Sequence, residues 1–194
     1  MKYELAVIGT SLGGLQELSI ILSGFPKSLP IAIAIVQHRH ISSDGELVNA
    51  LQKYSLLPII EVEDKLAIVT GNIYLAPANY HLLVEFGHFS LSTEAPVCYA
   101  RPSIDVLFET AADAYLERVI GVILTGANHD GARGLAKIEA YAGFTIIQEP
   151  STAISPTMPK SAITAVPKAK ILPLTEIAPF LLKLCRVGNT HLTD

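Results

Sequence analysis

Two short stretches of this chain are apolar at nearly every position, and they limit its fold more than any other feature. They are IAIAIVQ, residues 31–37, and RVIGVILTG, residues 118–126. Strands that are apolar on both faces are typical of parallel sheets covered by helices on each side. Helix-like segments alternate with such runs, the clearest being SIDVLFETAADAYL at 103–116. This alternation predicts an α/β fold with a three-layer, doubly wound and mostly parallel sheet.

One stretch in the middle of the chain interrupts the alternation. HLLVEFGHFSLS, residues 81–92, contains two strand-like runs around a glycine turn, which predicts an antiparallel hairpin inserted into the fold. We expect the imidazoles of His81 and His88 in this hairpin to face solvent. Two helices are predicted in the C-terminal part of the chain, beginning near Pro156 and Pro173.

The composition bounds the kind of protein and its partners. Half of the 194 residues are hydrophobic and 16% are charged, so the chain can bury one large core. The net charge of −4 gives no reason to expect nucleic acid as a partner, and no apolar run is long enough for membrane insertion. Two widely separated cysteines, Cys98 and Cys185, and the lack of an export-type N-terminus predict a cytoplasmic protein. We expect one domain over residues 1–187 and a loose C-terminal tail over 188–194.

Three predicted strands end in polar residues with complementary chemistry. Ser11 follows the first strand, His38 follows the second, and Asp130 follows the buried strand near 119–124. Ligands of parallel α/β sheets bind at the carboxyl ends of the strands. A hydroxyl, an imidazole that takes its proton and a carboxylate that orients the imidazole make up a nucleophilic triad. GTSLG around Ser11 also fits the nucleophile-elbow pattern, with the backbone N–H groups of Leu12 and Gly13 available to an oxyanion.

Each of these residues also has a purely structural interpretation. Ser11 and Asp130 can be N-caps of the helices that follow them, and His38 can be a histidine at the edge of the core. His40 and His129 compete for the role of base, but His38 is preferred because it directly follows a buried strand. His129 and Asp130 lack a third ligand at a metal-binding spacing, and the glycines fit neither a dinucleotide nor a phosphate-loop fingerprint. No metal or cofactor is therefore expected.

Six blocks, in order and spread over nearly the whole chain, resemble the catalytic domain of the CheB chemoreceptor methylesterases. They are IGTSLGGL (8–15), VQHRH (36–40), GNIYLAPANYHLLVE (71–85), RPSIDVLFETAA (101–112), GVILTGANHDGARGL (121–135) and MPKSAI (158–163). The resemblance implies the fold of that family's C-terminal domain. It also implies hydrolysis of glutamate γ-methyl esters on methyl-accepting chemotaxis receptors, with release of methanol, and deamidation of certain receptor glutamines.

On this resemblance, Ser11 is the nucleophile of an acyl-enzyme mechanism, His38 the general base and then acid, and Asp130 the orienting carboxylate. Five residues are expected to surround the tetrahedral intermediate, through backbone N–H groups: Leu12, Gly13, Gly126, Ala127 and Asn128. The expected partner is a methyl-accepting receptor or a receptor-like protein. A serine hydrolase acting on another ester or amide, and a non-catalytic receptor-binding module, remain open.

The chain departs from the family pattern beside the triad. Leu12 stands where the family has Thr or Ala, and Arg39 and His40 stand where it has a Met-containing sequence. Ala127 and Asn128 stand where it has Met and Gly. Members of the family usually carry an N-terminal phosphorylatable receiver domain, and we expect none here because the first predicted strand begins almost at Met1. We therefore expect either constitutive activity or control by a separate response-regulator chain.

Overall fold

The computed structural model describes residues 3–39 and 46–187, which form one large sheet, a separate hairpin and six α-helices. The strands are β1 (Leu5–Thr10), β2 (Ala32–Gln37), β3 (Ile59–Glu61), β4 (Ile73–Leu75), β5 (His81–Glu85), β6 (His88–Ser92), β7 (Val119–Ile123), β8 (Phe144–Gln148) and β9 (Lys170–Leu172). The helices are α1 (Gly14–Ser23), α2 (Glu46–Gln52), α3 (Ile104–Tyr115), α4 (Ala132–Ala140), α5 (Thr157–Ala165) and α6 (Leu174–Val187).

The seven-stranded sheet is parallel throughout, in the order β3-β4-β2-β1-β7-β8-β9, and β5 pairs with β6 as an antiparallel hairpin. This confirms the predicted doubly wound α/β fold with a hairpin insert. The two predicted C-terminal helices are α5 and α6. Sequence analysis missed β9, an edge strand of three residues of which Lys170 and Ile171 are exposed, so it carries no buried apolar pattern.

The side chains of the central strands alternate between two cores, one on each face of the sheet. In β1, Ala6 and Ile8 belong to the core that includes α1, α2 and α6. Leu5 and Val7 belong to the core that includes α3, α4, α5 and the hairpin. All four side chains are fully buried. The apolar runs in the sequence are uninterrupted because both faces of these strands are covered by other elements.

The strand order reverses at the centre of the sheet. The chain leaves β1 towards β2 on one side, whereas β7 pairs with the other edge of β1 and leads to β8 on the opposite side. The loops after β1 and β7 therefore diverge and leave a crevice at the carboxyl ends of the strands. Ser11 lies in the first of these loops and Asp130 in the second.

Helices α3 and α4 pack closely because Gly134 has no side chain. A Cβ atom at this position would lie 2.5 Å from Cβ of Phe108 and 3.0 Å from the carbonyl oxygen of Asp105. A larger residue would push the two helices apart. Their close approach brings the N-terminal turns of α3 and α4 within hydrogen-bonding distance of each other's carboxylates, at the crevice.

The prediction that His81 faces solvent is wrong. His81 is 2% exposed, and its Nδ1 accepts a hydrogen bond from the backbone N–H of Ser103 at 3.2 Å. Its Nε2 lies 3.1 Å from the carbonyl oxygen of Ala95 and donates to it. The loop that leads into α3 covers this end of β5, which the alternating pattern of the hairpin does not reveal. His88 is partly exposed, and its Nε2 lies 3.1 Å from Glu85 Oε2.

None of the helices in the described residues is long and apolar enough to cross a membrane. The tail predicted at 188–194, and His40, lie outside the described residues.

Candidate active site

The strands β1, β2 and β7 bring three of the predicted site residues to one crevice. The backbone N–H of Ser11, just after β1, donates to the carbonyl oxygen of Thr125 at 2.9 Å. The backbone N–H of His38, just after β2, donates to the carbonyl oxygen of Thr10 at 3.0 Å. Because β1 pairs in parallel with both β2 and β7, the residues that follow these strands lie side by side.

Gln37 ties the backbones of Ser11 and His38 together. Its Nε2 donates to the carbonyl oxygen of Ser11 at 2.8 Å and to that of His38 at 2.9 Å. Sequence analysis assigned no role to Gln37. The signal that could have found it is its position, because it is the polar last residue of an otherwise apolar strand.

His38 and Asp130 form a hydrogen-bonded pair, with His38 Nε2 2.8 Å from Asp130 Oδ2. Asp130 is 1% exposed. An ionised carboxylate only accepts hydrogen bonds, so the imidazole carries a proton on Nε2. His129, the competing candidate next to Asp130, is exposed to solvent. Among the described histidines, His38 is the one that Asp130 holds.

The N-terminus of α3 surrounds the Asp130 carboxylate with donors. Oδ2 accepts from the backbone N–H of Ile104 at 2.6 Å, and Oδ1 accepts from that of Asp105 at 3.0 Å and from Ser103 Oγ at 2.9 Å. Burial raises the pKa of Asp130, but the hydrogen bonds from His38 and from these backbone groups outweigh it. The pKa of Asp130 therefore lies below the usual aspartate range, and the group stays ionised.

Asp105 plays the reciprocal part at the start of α4. Its Oδ1 accepts from the backbone N–H of Gly131 at 2.9 Å and from that of Gly134 at 2.8 Å. Burial is the main cause that raises the pKa of Asp105, and the nearby charge of Asp130 adds to it. The first turn of α3 and the loop that leads into α4 thus exchange carboxylates: Asp105 binds the start of α4, and Asp130 binds the start of α3. Sequence analysis assigned no role to Asp105 or Ser103.

The helix-cap interpretations of Ser11 and Asp130 do not match the structure. The N-cap of α1 is Gly13 and that of α4 is Gly131, and neither position has a side-chain cap bond. Both glycines have positive φ, 86° and 95°, which is the left-handed region that favours glycine. The side chains of Ser11 and Asp130 are therefore not used to cap the helices that follow them.

Ser11 lines an open cleft of about 570 Å³ that it shares with Leu12, Gly13, Gln37 and His38. Ser11 is half-buried, and Leu12 is 60% exposed. Among the described residues, no hydrogen bond joins Ser11 Oγ to the His38 ring, whose two nitrogens contact Asp130 and Asn128. Nor do the backbone N–H groups of Leu12 and Gly13 donate a hydrogen bond within the described part of the chain. These two N–H groups are free to bind an oxyanion next to Ser11.

In the turn after β7, the backbone N–H of one predicted donor, Gly126, is already used inside the protein. The N–H of Gly126 donates to the carbonyl oxygen of Ser155 at 3.0 Å, so it is not free for an oxyanion. A Cβ at Gly126 would lie 2.9 Å from Cβ of Ser11, which shows how close this turn runs to the nucleophile candidate. Ala127 is exposed, and Asn128 faces His38 with its side chain.

A second cleft, of about 630 Å³, is also lined by His38. Asn128, Arg39 and the loop that contains Tyr99 line it as well. Arg39 Nη2 donates to the carboxylate of Glu61 and, at 2.7 Å, to the carbonyl oxygen of Ala76. Arg39 is therefore held by the fold although it lines the cleft.

Three potential metal-ligand atoms lie within 4.8 Å of one another, from Cys98, Asp105 and Asp130. Both oxygens of Asp130 and Oδ1 of Asp105 already accept hydrogen bonds from N–H or O–H donors, which a cation would repel. Burial, with the charges of Asp130 and Asp105, raises the pKa of the Cys98 thiol. This cluster has the chemistry of a hydrogen-bonded carboxylate pair rather than of a metal centre.

The family and the fold are those of known methylesterases. Residues 6–181 match the family model described as CheB methylesterase. The crystal structure of the Thermotoga maritima CheB methylesterase catalytic domain superimposes with a TM-score of 0.90 at 32% identity, covering 95% of this chain and 100% of that chain.

Two relatives differ in how much of their length this chain spans. A protein of Leptospira interrogans, provisionally named protein-glutamate methylesterase/protein-glutamine glutaminase, is 47% identical over 185 residues, which are 95% of this chain and 96% of that protein. Protein-glutamate methylesterase FrzG of Myxococcus xanthus is 34% identical over 182 residues, which are 93% of this chain and 54% of FrzG. These matches confirm the predicted resemblance and the predicted hydrolase class, and they show that the chain belongs to the CheB methylesterase family.

Proposed function

We propose that this chain is a protein-glutamate methylesterase acting on methyl-accepting chemotaxis receptors or receptor-like proteins. Its substrate is a glutamate γ-methyl ester, and its products are a glutamate carboxylate and methanol. The names of the Leptospira and Myxococcus relatives support this reaction. The observation that carries the proposal is the pair of His38 and the buried, ionised Asp130 in a cleft shared with Ser11.

In the acylation step, Ser11 Oγ attacks the carbonyl carbon of the ester. The proton of the hydroxyl passes to Nδ1 of His38, the ring nitrogen that is not bonded to Asp130. The ring is then an imidazolium, which the negative charge of Asp130 stabilises through the Nε2–H bond. The backbone N–H groups of Leu12 and Gly13 stabilise the oxyanion. The intermediate collapses, the imidazolium returns the proton to the leaving oxygen, and methanol departs.

In the deacylation step, His38 removes a proton from water, and the resulting hydroxide attacks the acyl-serine. Ser11 leaves with the proton from His38, and the product carboxylic acid loses its remaining proton to solvent and is released as the glutamate carboxylate. A glutamine side chain can form the same acyl-enzyme with ammonia as the leaving group. The site therefore accounts for both activities in the names of the relatives with one nucleophile.

Labelling with a fluorophosphonate tests the nucleophile, and methanol release from a methylated receptor tests the substrate. The wild-type chain is expected to be labelled and to release methanol. Ser11→Ala should lose both, at least a thousandfold in turnover, with an unchanged melting temperature. Ser19→Ala is a matched control, because its hydroxyl lies on α1 and bonds only the carbonyl oxygen of Gln16 among the described residues.

The outcomes separate the remaining functions. Labelling of Ser11 together with hydrolysis of small esters, but no methanol from any methylated receptor, would point to a serine hydrolase with another substrate. Binding to receptor without labelling would point to a binding module. Full esterase activity in Ser11→Ala would refute the proposed nucleophile.

A further inference from the structure

Asn128 occupies the one ring nitrogen that the mechanism needs. Its Oδ1 accepts the backbone N–H of Asp130 at 3.0 Å. This bond sets the orientation of the amide, because an N–H donor faces the oxygen and not the nitrogen of the side chain. The amide Nδ2 therefore points the other way, and it lies 2.9 Å from His38 Nδ1.

Both nitrogens of the His38 ring are consequently in use. Nε2 donates to Asp130, so Nδ1 of the neutral ring has a lone pair and no proton. Nδ2 of Asn128 donates to this lone pair. The same lone pair must accept the proton of Ser11 when the nucleophile is activated. The hydroxyl of Ser11 and the amide of Asn128 cannot both occupy it.

The other groups near the ring do not compete for Nδ1. Four further ionisable side chains line this cavity: Arg39, Cys98, Tyr99 and Arg101. None of them makes a hydrogen bond with His38 among the described residues. The guanidinium of Arg39 binds Glu61, and that of Arg101 binds Asn79. Asn128 is thus the group that sets the state of Nδ1.

We propose that Asn128 is a positioning residue that caps the catalytic histidine: it holds His38 Nδ1 in a hydrogen bond at rest and must release it before Ser11 can react. This rests on the proposed function, because the cap matters only if His38 is the base. The family pattern has glycine at the position of Asn128, and glycine has no side chain to reach the ring. The cap therefore distinguishes this chain from the family pattern. Because Asn128 and His38 line one cavity together, we expect a substrate group that enters it to displace the amide from Nδ1.

Two substitutions at Asn128 have opposite expected effects on the rate of Ser11 labelling by a fluorophosphonate. Asn128→Ser keeps a hydroxyl that can accept the N–H of Asp130 two residues on, but it is too short to reach Nδ1. We expect labelling to become about 3- to 10-fold faster, the factor that corresponds to losing one neutral hydrogen bond. Asn128→Asp also keeps the bond to Asp130, but its carboxylate attracts a proton to Nδ1, and labelling near pH 7 should become slower.

A loss of labelling in both variants would overturn the cap and assign Asn128 to holding the Asp130 loop. Unchanged rates in both would overturn it as well. The ¹⁵N resonances of the His38 ring give a readout that needs no activity. In Asn128→Ser, the Nδ1 signal should move towards that of a free unprotonated nitrogen while Nε2 stays protonated. If Ser11 is never labelled but Nδ1 shifts as expected, the proposed function fails and the hydrogen bond of Asn128 stands. If labelling is normal and Nδ1 does not shift, the cap fails alone.

Discussion

The two halves of the candidate site are built to different degrees of rigidity. On one side, Asp130 is buried, its two oxygens accept four hydrogen bonds, and the N-terminal turn of α3 holds it in place. On the other side, Ser11 is half-buried next to the exposed Leu12, and two neighbouring N–H groups have no partner among the described residues. The hydrogen bonds on the Asp130 side are therefore all formed without a ligand, whereas donors on the Ser11 side still lack an acceptor among the described residues.

This difference follows from what each half must do. A carboxylate that stabilises an imidazolium works best if it is oriented before the reaction, because no reorganisation is then needed. A nucleophile and its oxyanion donors must instead leave space for the substrate, and their hydrogen bonds form with it. Helices α3 and α4 supply the first requirement through the Asp105 and Asp130 exchange. The glycines after β1 supply the second.

The largest expected effect comes from breaking the rigid half with Asp130→Asn. An amide in place of the carboxylate favours the wrong tautomer of His38, and we expect turnover to fall about ten-thousandfold. The amide nitrogen would also face N–H donors of α3, which should lower the free energy of unfolding by about 1–3 kcal/mol. Methanol release and urea unfolding measure the two effects. If activity falls only in proportion to the folded fraction, Asp130 is a structural support of α3 and not a member of the triad.

The two exchanged carboxylates should respond to pH in opposite directions. Because the pKa of Asp130 is lowered, this carboxylate contributes stability that is present above the usual aspartate value, near 3.9, and is lost as the pH falls from there through the lower folded-state pKa. The raised pKa of Asp105 makes stability fall as the pH rises through its folded-state value. Raising the pH from about 2 to 4 should therefore disfavour Asp130→Asn relative to wild type, and raising it from about 4 to 7 should favour Asp105→Asn. The comparison is between urea midpoints of the three proteins at each pH.

Asp105→Asn is a fair test because one oxygen of Asp105, Oδ1, accepts both bonds from α4. An asparagine can keep that oxygen in place. Parallel pH profiles for wild type and both variants would mean that neither carboxylate is perturbed by folding, and the rigid half would lose its electrostatic explanation.

The sequence contained the parts of the site but not their support. Ser11, His38 and Asp130 could be found because each follows a buried strand, and a buried strand is visible in the sequence as a local run of apolar residues. The donors around Asp130 could not, because they depend on the packing of α3 against α4 over long sequence separations. The prediction that His81 faces solvent failed for the same reason, because the loop that buries its side chain lies outside the hairpin sequence.

The predicted oxyanion donors show the same limit. A free N–H is a property of the folded loop, not of the residue type. Gly126 appeared available in the sequence, but the chain near Ser155 returns to take its N–H. Leu12 and Gly13 keep theirs because they lie between the end of β1 and the first turn of α1, where no regular partner exists.

A smaller effect is expected from the link between the two halves. Gln37→Met removes both hydrogen bonds to the carbonyls of Ser11 and His38 while keeping an unbranched side chain of similar size. We expect kcat to fall about tenfold, equivalent to roughly 1.4 kcal/mol in the barrier. Gln52→Met is the control, because Gln52 at the end of α2 also donates to two carbonyl oxygens, at 3.2 and 3.0 Å, and its Oε1 accepts the N–H of Ile59 at 2.9 Å. That control should lower the melting temperature and leave kcat unchanged.

The smallest expected effect lies at the rim of the open side. Val97 and Ala100 exchange backbone hydrogen bonds of 3.1 and 2.9 Å, and Tyr99 on the turn between them is fully exposed. This turn lines the cavity beside His38. An exposed aromatic ring at this position can bury its apolar surface only against a large partner, such as a receptor protein.

Tyr99→Ala should therefore raise KM for a methylated receptor about 3- to 10-fold, the range of a modest aromatic contact, and leave kcat and small-ester hydrolysis unchanged. Tyr141→Ala, at the exposed C-terminal end of α4 away from the crevice, should change neither. If small esters lose as much as the receptor does, Tyr99 shapes the cleft itself. The Ser11 side of the site would then also be shaped by protein side chains before substrate binds, and it would differ less from the Asp130 side.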